Sequence, residues 1–330
     1  MPDVNPANKT FYTPQLLRFT ASIFVVCFHV GLMRSGYKGV DIFFVISGFV
    51  NYYSCVINKR SNWLVFAINR LTKIYLLYWL VLLVYYFVQP FSIDKAFVNT
   101  WVLLPAHRPI LDVSWSLSYE LYFYLLFVAI VYIINKSLQQ WVIISLLVVT
   151  TAITILNTTP LTLKGTPLNF FIGQNFWEFL LGIAGAYLFN RVSIAKYLAG
   201  AGGVAISISI TIVSITYAKP LSYVVYGSLS FLVVVFFTQF EKTIHFKPKA
   251  AKIIQWVGDA SYAIYLTGPV VIALMQPATV AQKLIAIVII VTAALCINQL
   301  VESPLLRLSR HFLLTHIGKG KGAGMRQPKW

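Results

Sequence analysis

Acidic side chains are scarce in this chain: 330 residues hold nine Asp and Glu. Charged residues of both signs make up 11% of the sequence, where a soluble globular domain carries roughly a quarter. That shortage excludes an ordinary water-soluble domain. Cysteine is sparse too. Cys27, Cys55 and Cys296 lie within or beside apolar runs without metal-ligand spacing, so they read as packing residues and no metal is expected. No long polar stretch is left for a separate soluble domain. One membrane domain over 1–306 and a basic tail over 307–330 are therefore expected. The first apolar run lacks a small-residue cleavage site and is expected to be retained.

What remains is apolar. Hydrophobic residues make up 58% of the chain and its mean hydropathy is +0.77, which predicts an all-α integral membrane protein. Apolar runs near 14–33, 38–57, 72–89, 114–135, 140–156, 169–189, 198–217, 221–240, 257–275 and 281–302 predict about ten transmembrane helices in one bundle. The run 97–106 is too short to cross. Ten spans put both termini on one side. With that side cytoplasmic, 18 of the 26 basic residues face the cytoplasm, 7 face the opposite side, and Arg18 lies within a span. The net charge of +17 therefore reads as a set of topology determinants facing a lipid bilayer, with no nucleic-acid partner implied. The tail sequence GKGKGAGMRQPKW reads as a polybasic end at an anionic leaflet.

The stretch Arg18–Phe49 carries the chemistry-bearing residues. Arg18 and His29 are eleven residues apart. On a helix they share nearly one face, about 16 Å apart along the axis. Each residue alone has a plain structural reading: an arginine snorkelling to the headgroups, a histidine held by a backbone carbonyl. The pair on one face, followed by Asp41, points to function, because ionisable groups in lipid-depth segments usually face a bundle interior or a cavity. The predicted topology separates two kinds of group. Arg18, Arg70 and Lys73 lie toward the cytoplasm, while His29, Asp41 and Glu120 lie toward the outside.

A histidine with a carboxylate can act as general base toward a hydroxyl or can itself carry an acyl group. Glu120 is the first choice for its partner and Asp41 the second. Cations at the inner mouth suit a phosphate-bearing ligand, and the distance from Arg18 to His29 is comparable to an extended pantetheine arm. Arg18, Arg70 and Lys73 are thus the candidate cofactor-binding residues, and Ser47, Trp115 and Ser116 the candidate substrate-binding residues. Arg70 and Lys73 also read as simple positive-inside anchors, and Ser47 with Gly48 as a small-residue helix contact.

Five segments carry a family resemblance: LLRFTASIFVVCFH, KGVDIFFVISGFV, NRLTKIYLLYWL, SWSLSYELYFY and GDASYAIYLTGPVV. In this order they resemble the membrane-bound acyltransferase family 3, which includes O-acetyltransferases of O-antigen, exopolysaccharide and peptidoglycan. The resemblance implies a ten-helix domain of a bacterial inner membrane that moves an acyl group, usually acetyl from cytoplasmic acetyl-CoA, to a hydroxyl of an envelope glycan. It implies an undecaprenyl-linked or polymeric glycan acceptor, and site roles for Arg18, His29, Asp41, Arg70, Lys73, Ser116 and Glu120. Two departures stand out. The basic cluster pairs one guanidinium with one ammonium, Arg70 and Lys73, and YLTGPVV has Gly268 where the family often has histidine.

Two other classes fit the same residues. In a transporter, Arg18, His29, Asp41 and Glu120 would form a proton or substrate relay. The absence of matched repeats, and the concentration of ionisable residues in the first four spans, favour the enzyme. A non-catalytic partner in a glycan assembly complex would tolerate alanine at His29 and Glu120.

Overall fold

The computed structural model describes residues 11–57, 63–105, 109–156, 167–194, 198–206, 208 and 222–316. Among these residues the regular elements are all helical: α1 Tyr12–His29, α2 Gly39–Tyr52, α3 Trp63–Val88, α4 Lys95–Trp101, α5 Ser114–Val128, α6 Lys136–Leu156, α7 Pro167–Ile172, α8 Gln174–Arg191, α9 Ser222–Glu241, α10 Pro248–Asp259, α11 Ser261–Met275, α12 Val280–Ile297 and α13 Ser303–His316. Among the described residues, six helices are long and apolar enough to cross a membrane: Gly36–Ile57, Trp63–Val88, Ser114–Ile133, Lys136–Leu156, Tyr223–Glu241 and Val280–Ser309. The bent pair α10 and α11 makes a seventh if counted as one span.

Each of these coincides with an expected apolar run. The expected runs 14–33 and 169–189 are helical as α1 and α8, but their polar residues, among them Gln15, Arg18, Gln174 and Glu178, keep them outside the apolar set. The run expected at 198–217 lies largely outside the described residues, as does the tail from 317 onward. The short run near 97–106 contains α4, seven residues long.

The chain forms two compact units. Phe11–Tyr53 and Ala129–Asp259 make the α2/α8 unit, while Ser54–Val128 and the chain from Ala260 onward make the α3/α11 unit. In the α2/α8 unit, α2 and α8 touch backbone to backbone. A Cβ at Gly48 would lie 2.0 Å from the Phe179 carbonyl oxygen, and one at Gly182 2.0 Å from that of Val45. In lipid, where apolar side chains gain little by leaving their surroundings, such small-residue contacts hold helices together by close packing. Rings of Phe11, Phe49, Tyr53 and Phe189 meet beside this contact, with centroids as close as 4.7 Å.

Both ends of α1 are closed within this unit. At its start, Glu241 of α9 accepts from the Tyr12 amide at 2.6 Å, the Thr13 amide at 3.0 Å and the Thr13 hydroxyl at 2.7 Å. A carboxylate there satisfies helix-terminal amides and complements the helix dipole. At its finish, Gly31 turns left-handed with φ 72°. Its amide reaches Phe28 O at 2.9 Å and the next amide reaches Cys27 O at 2.9 Å, which is the Schellman pattern of helix ends.

In the α3/α11 unit, tyrosine hydroxyls tie helices through backbone carbonyls. Tyr262 of α11 donates to Ile74 O of α3, and Tyr78 of α3 donates to Thr100 O of α4, both at 2.6 Å. α12 opens with a capping box between Thr279 and Gln282 and passes into a π-helical turn, Asn298–Glu302. There Asn298 Nδ2 donates to the buried Glu302 carboxylate at 2.8 Å.

The α2–α8 contact generates a contrast. Gly48→Val places methyls against a backbone carbonyl that cannot yield, and is expected to cost about 3 kcal/mol or more. Gly185→Ala, whose Cβ would meet its nearest neighbour at 3.4 Å, is expected to leave stability unchanged. Thermal unfolding of the two variants in detergent checks this; equal midpoints would refute the packing account.

Candidate active site

α1 holds Arg18 and His29 on one unbroken helix, so their separation of about 16 Å follows from helical rise alone. Arg18 is half-buried, and its Nε has no hydrogen-bond partner among the described residues. His29 is the last residue of α1, half-buried, with its ring 5.2 Å from that of Phe28. The chain then doubles back. A Cβ at Gly39 would lie 2.4 Å from Ala21 O, so α2 begins against the part of α1 between Arg18 and His29. Asp41 follows in the first turn of α2, and Ser47 lies one residue before the Gly48 crossing.

Asp41 is buried, 6% exposed, and pairs with Lys38 Nζ at 3.5 Å. Lys38 is itself 5% exposed. Its ammonium lies 5.0, 4.8 and 4.5 Å from the ring centres of Tyr37, Tyr223 and Tyr226, an aromatic cage that suits a desolvated cation. Glu178 of α8 is 0% exposed, and Asp41 and Lys38 are its charged neighbours. Its Oε1 accepts from Gln174 Nε2 at 3.0 Å, while Oε2 has no hydrogen-bond partner among the described residues. The α2/α8 unit therefore brings Arg18, His29, Asp41 and Ser47 onto two packed helices and adds Lys38 and Glu178.

The α3/α11 unit holds the other expected residues. Arg70 and Lys73 lie on the first half of α3, both half-buried. The Arg70 guanidinium stacks over the rings of Phe66 at 5.4 Å and Tyr124 at 5.3 Å. The Tyr124 hydroxyl donates to Glu120 Oε1, so one tyrosine links the expected cation to the expected carboxylate. Ser116 is buried. Its hydroxyl lies 2.7 Å from that of Tyr265 and donates to Val113 O at 3.1 Å, and Tyr265 reaches the same carbonyl at 3.0 Å. Trp115, one residue earlier, is 36% exposed with its ring 6.0 Å from Tyr119. Among the described residues, no group of three or more His, Cys, Asp and Glu could hold a metal ion.

Lys38, Glu178, Tyr124 and Tyr265 were not singled out from the sequence. A signal existed for two of them: Tyr124 is four residues after Glu120, the spacing at which helical side chains meet, and Lys38 is three before Asp41. Glu178 is a lone acid in the apolar run FWEFLLGIAGAY, and its neighbours are invisible without the fold.

A family model described as an acyltransferase domain matches residues 11–301 of the chain. The matched range contains every candidate site residue placed in the two units above. No curated protein and no solved structure matches the chain.

The buried pair yields a stability prediction. Lys38→Met leaves Asp41 without its ammonium and is expected to cost about 3–5 kcal/mol, as for other buried pairs broken on one side. Lys38→Met/Asp41→Asn is expected to recover most of that loss. Unfolding midpoints of the single and double variants test it, and additive losses would contradict the pairing.

Proposed function

The chain belongs to acyltransferase family 3, and from that premise we propose that it transfers an acyl group, acetyl foremost, from cytoplasmic acyl-CoA to a hydroxyl of a cell-envelope polysaccharide such as O-antigen or exopolysaccharide. The proposed location is a bacterial inner membrane, and the proposed acceptor is an undecaprenyl-linked or polymeric glycan. The observation that carries this reading is the Arg18–His29 pair on one continuous helix within the family match.

In the proposed reaction an imidazole nitrogen of His29 takes the proton of the sugar hydroxyl as its oxygen attacks the thioester carbonyl. The tetrahedral intermediate collapses, the carbon–sulfur bond breaks, and the imidazolium returns the proton to the leaving CoA sulfur. General-base catalysis of this kind contributes about 10²–10⁴-fold. Asp41 and Glu120 are the proposed carboxylates of the reaction, supporting the imidazolium as it forms. Arg18, Arg70 and Lys73 are the proposed contacts for the CoA phosphates. The single guanidinium at Arg70 offers a planar donor fork, and Lys73 a point charge. Ser47, Trp115 and Ser116 are the proposed acceptor contacts.

Full-length protein in detergent, with acetyl-CoA and a glycan acceptor and no ion gradient, provides the test. Wild-type protein is expected to release CoA and acylate the glycan. His29→Ala is expected to lose at least about 10²-fold in kcat while reaching the membrane in normal amounts. Arg18→Ala is expected to raise the KM for acyl-CoA more than it lowers kcat. A fully active His29→Ala variant would refute the role given to that residue.

A further inference from the structure

The least expected feature of the α2/α8 unit is its charge balance. Two buried carboxylates, Asp41 and Glu178, stand with one buried ammonium, Lys38. Asp41 takes that ammonium at 3.5 Å, and three tyrosine rings take up space around the same cation. Glu178 has a neutral amide on one oxygen and, among the described residues, no hydrogen-bond partner on the other. A carboxylate left that way, out of water and without a counter-charge of its own, is strongly disfavoured.

We propose that Glu178 is a proton-binding site, a carboxylic acid sealed within the α2/α8 unit whose proton supplies the positive charge that the single lysine does not. With that proton bound, one ammonium faces one carboxylate and the buried cluster is neutral.

The surroundings leave little space for any larger cation. Glu178 is 0% exposed. On the α9 side, a Cβ at Gly227 would lie 3.2 Å from Glu178 Cγ and 2.5 Å from the Trp177 ring, so helix backbone closes that approach. On the α2 side, the backbone contact at Gly48 and Gly182 holds the two helices together four residues from Glu178. A buried water needs room and several polar partners, and a hydrated ion needs more of both.

Among the described residues, the polar and charged groups presented by the packed elements are these. The turn before α2 presents Lys38, and α2 presents Asp41. α9 presents Tyr223 and Tyr226 around that lysine, and α8 itself presents Gln174. The nearby Thr151 of α6 already accepts from Trp177 Nε1 at 2.9 Å. Lys38 is the cation of this set, and it is already paired.

Infrared spectroscopy of the full-length protein in detergent at neutral pH tests the site, and it needs no acyl donor or acceptor. A negative result would therefore leave the acyltransferase reading untouched. The expected result is a protonated-carboxyl C=O band that shifts with ¹³C-glutamate labelling and moves in D₂O. The band should be lost in Glu178→Gln, whose amide copies the shape of the neutral acid, and that variant should unfold at the wild-type temperature. A label-sensitive band unchanged in Glu178→Gln, or its absence from wild-type protein, overturns the proposal. So does failure of Glu178→Gln to accumulate, because a site that needs a carboxylate does not tolerate the neutral copy.

Discussion

At Gly48 and Gly182, α2 and α8 meet backbone to backbone, and much of the α2/α8 unit depends on that contact. A helix pair in lipid cannot rely on expelling water, so it needs surfaces that approach closely enough for dispersion to act over many atoms. Gly48 and Gly182 supply that approach. The buried acids lie on the N-terminal side of the crossing, Asp41 seven residues before Gly48 and Glu178 four before Gly182. The rings of Phe49, Tyr53 and Phe189 gather on its C-terminal side. One end of the helix pair is polar and enclosed, the other aromatic and dry.

Hydropathy revealed most of the elements because it is a local property: a window of about twenty residues suffices to find a span. The Arg18–His29 spacing was legible for the same reason, since both residues lie on one helix whose geometry is fixed. Glu178 and Lys38 were not legible as neighbours. They are 140 positions apart, and nothing in either local sequence names the other. Glu241 at the start of α1 is a similar case, an acid at the end of an apolar run whose partners lie 228 and 229 positions upstream. The interleaving of the two units, each built from separated stretches of chain, is likewise beyond a window's reach. Tyr124 is the instructive exception, because its link to Glu120 lies within one helical turn.

The two units hold their ionisable groups in different ways. The α2/α8 unit surrounds an ammonium with aromatic faces and a carboxylate. The α3/α11 unit also sets a cation, Arg70, over aromatic faces, and it adds hydroxyls: Tyr78, Tyr262 and Tyr265 each donate to a backbone carbonyl, and Tyr124 donates to a carboxylate. Tyrosine suits this setting because its ring is at home beside lipid-depth side chains while its single polar atom is satisfied at one point. A family acyltransferase has to present polar chemistry inside an apolar solvent. In the α2/α8 unit the ionisable groups Arg18, His29 and Asp41 lie on α1 and α2, and in the α3/α11 unit Arg70, Lys73 and Glu120 lie on α3 and α5.

The carboxylate that closes the start of α1 has a consequence for how the protein is made. The group that satisfies the leading amides of the helix bearing Arg18 and His29 lies 228 and 229 positions further along the chain, so it is translated well after them. Until then those amides need temporary acceptors, from interfacial water, lipid headgroups or the insertion machinery. α1 thus reaches its final bonding only after a further 228 residues have been made.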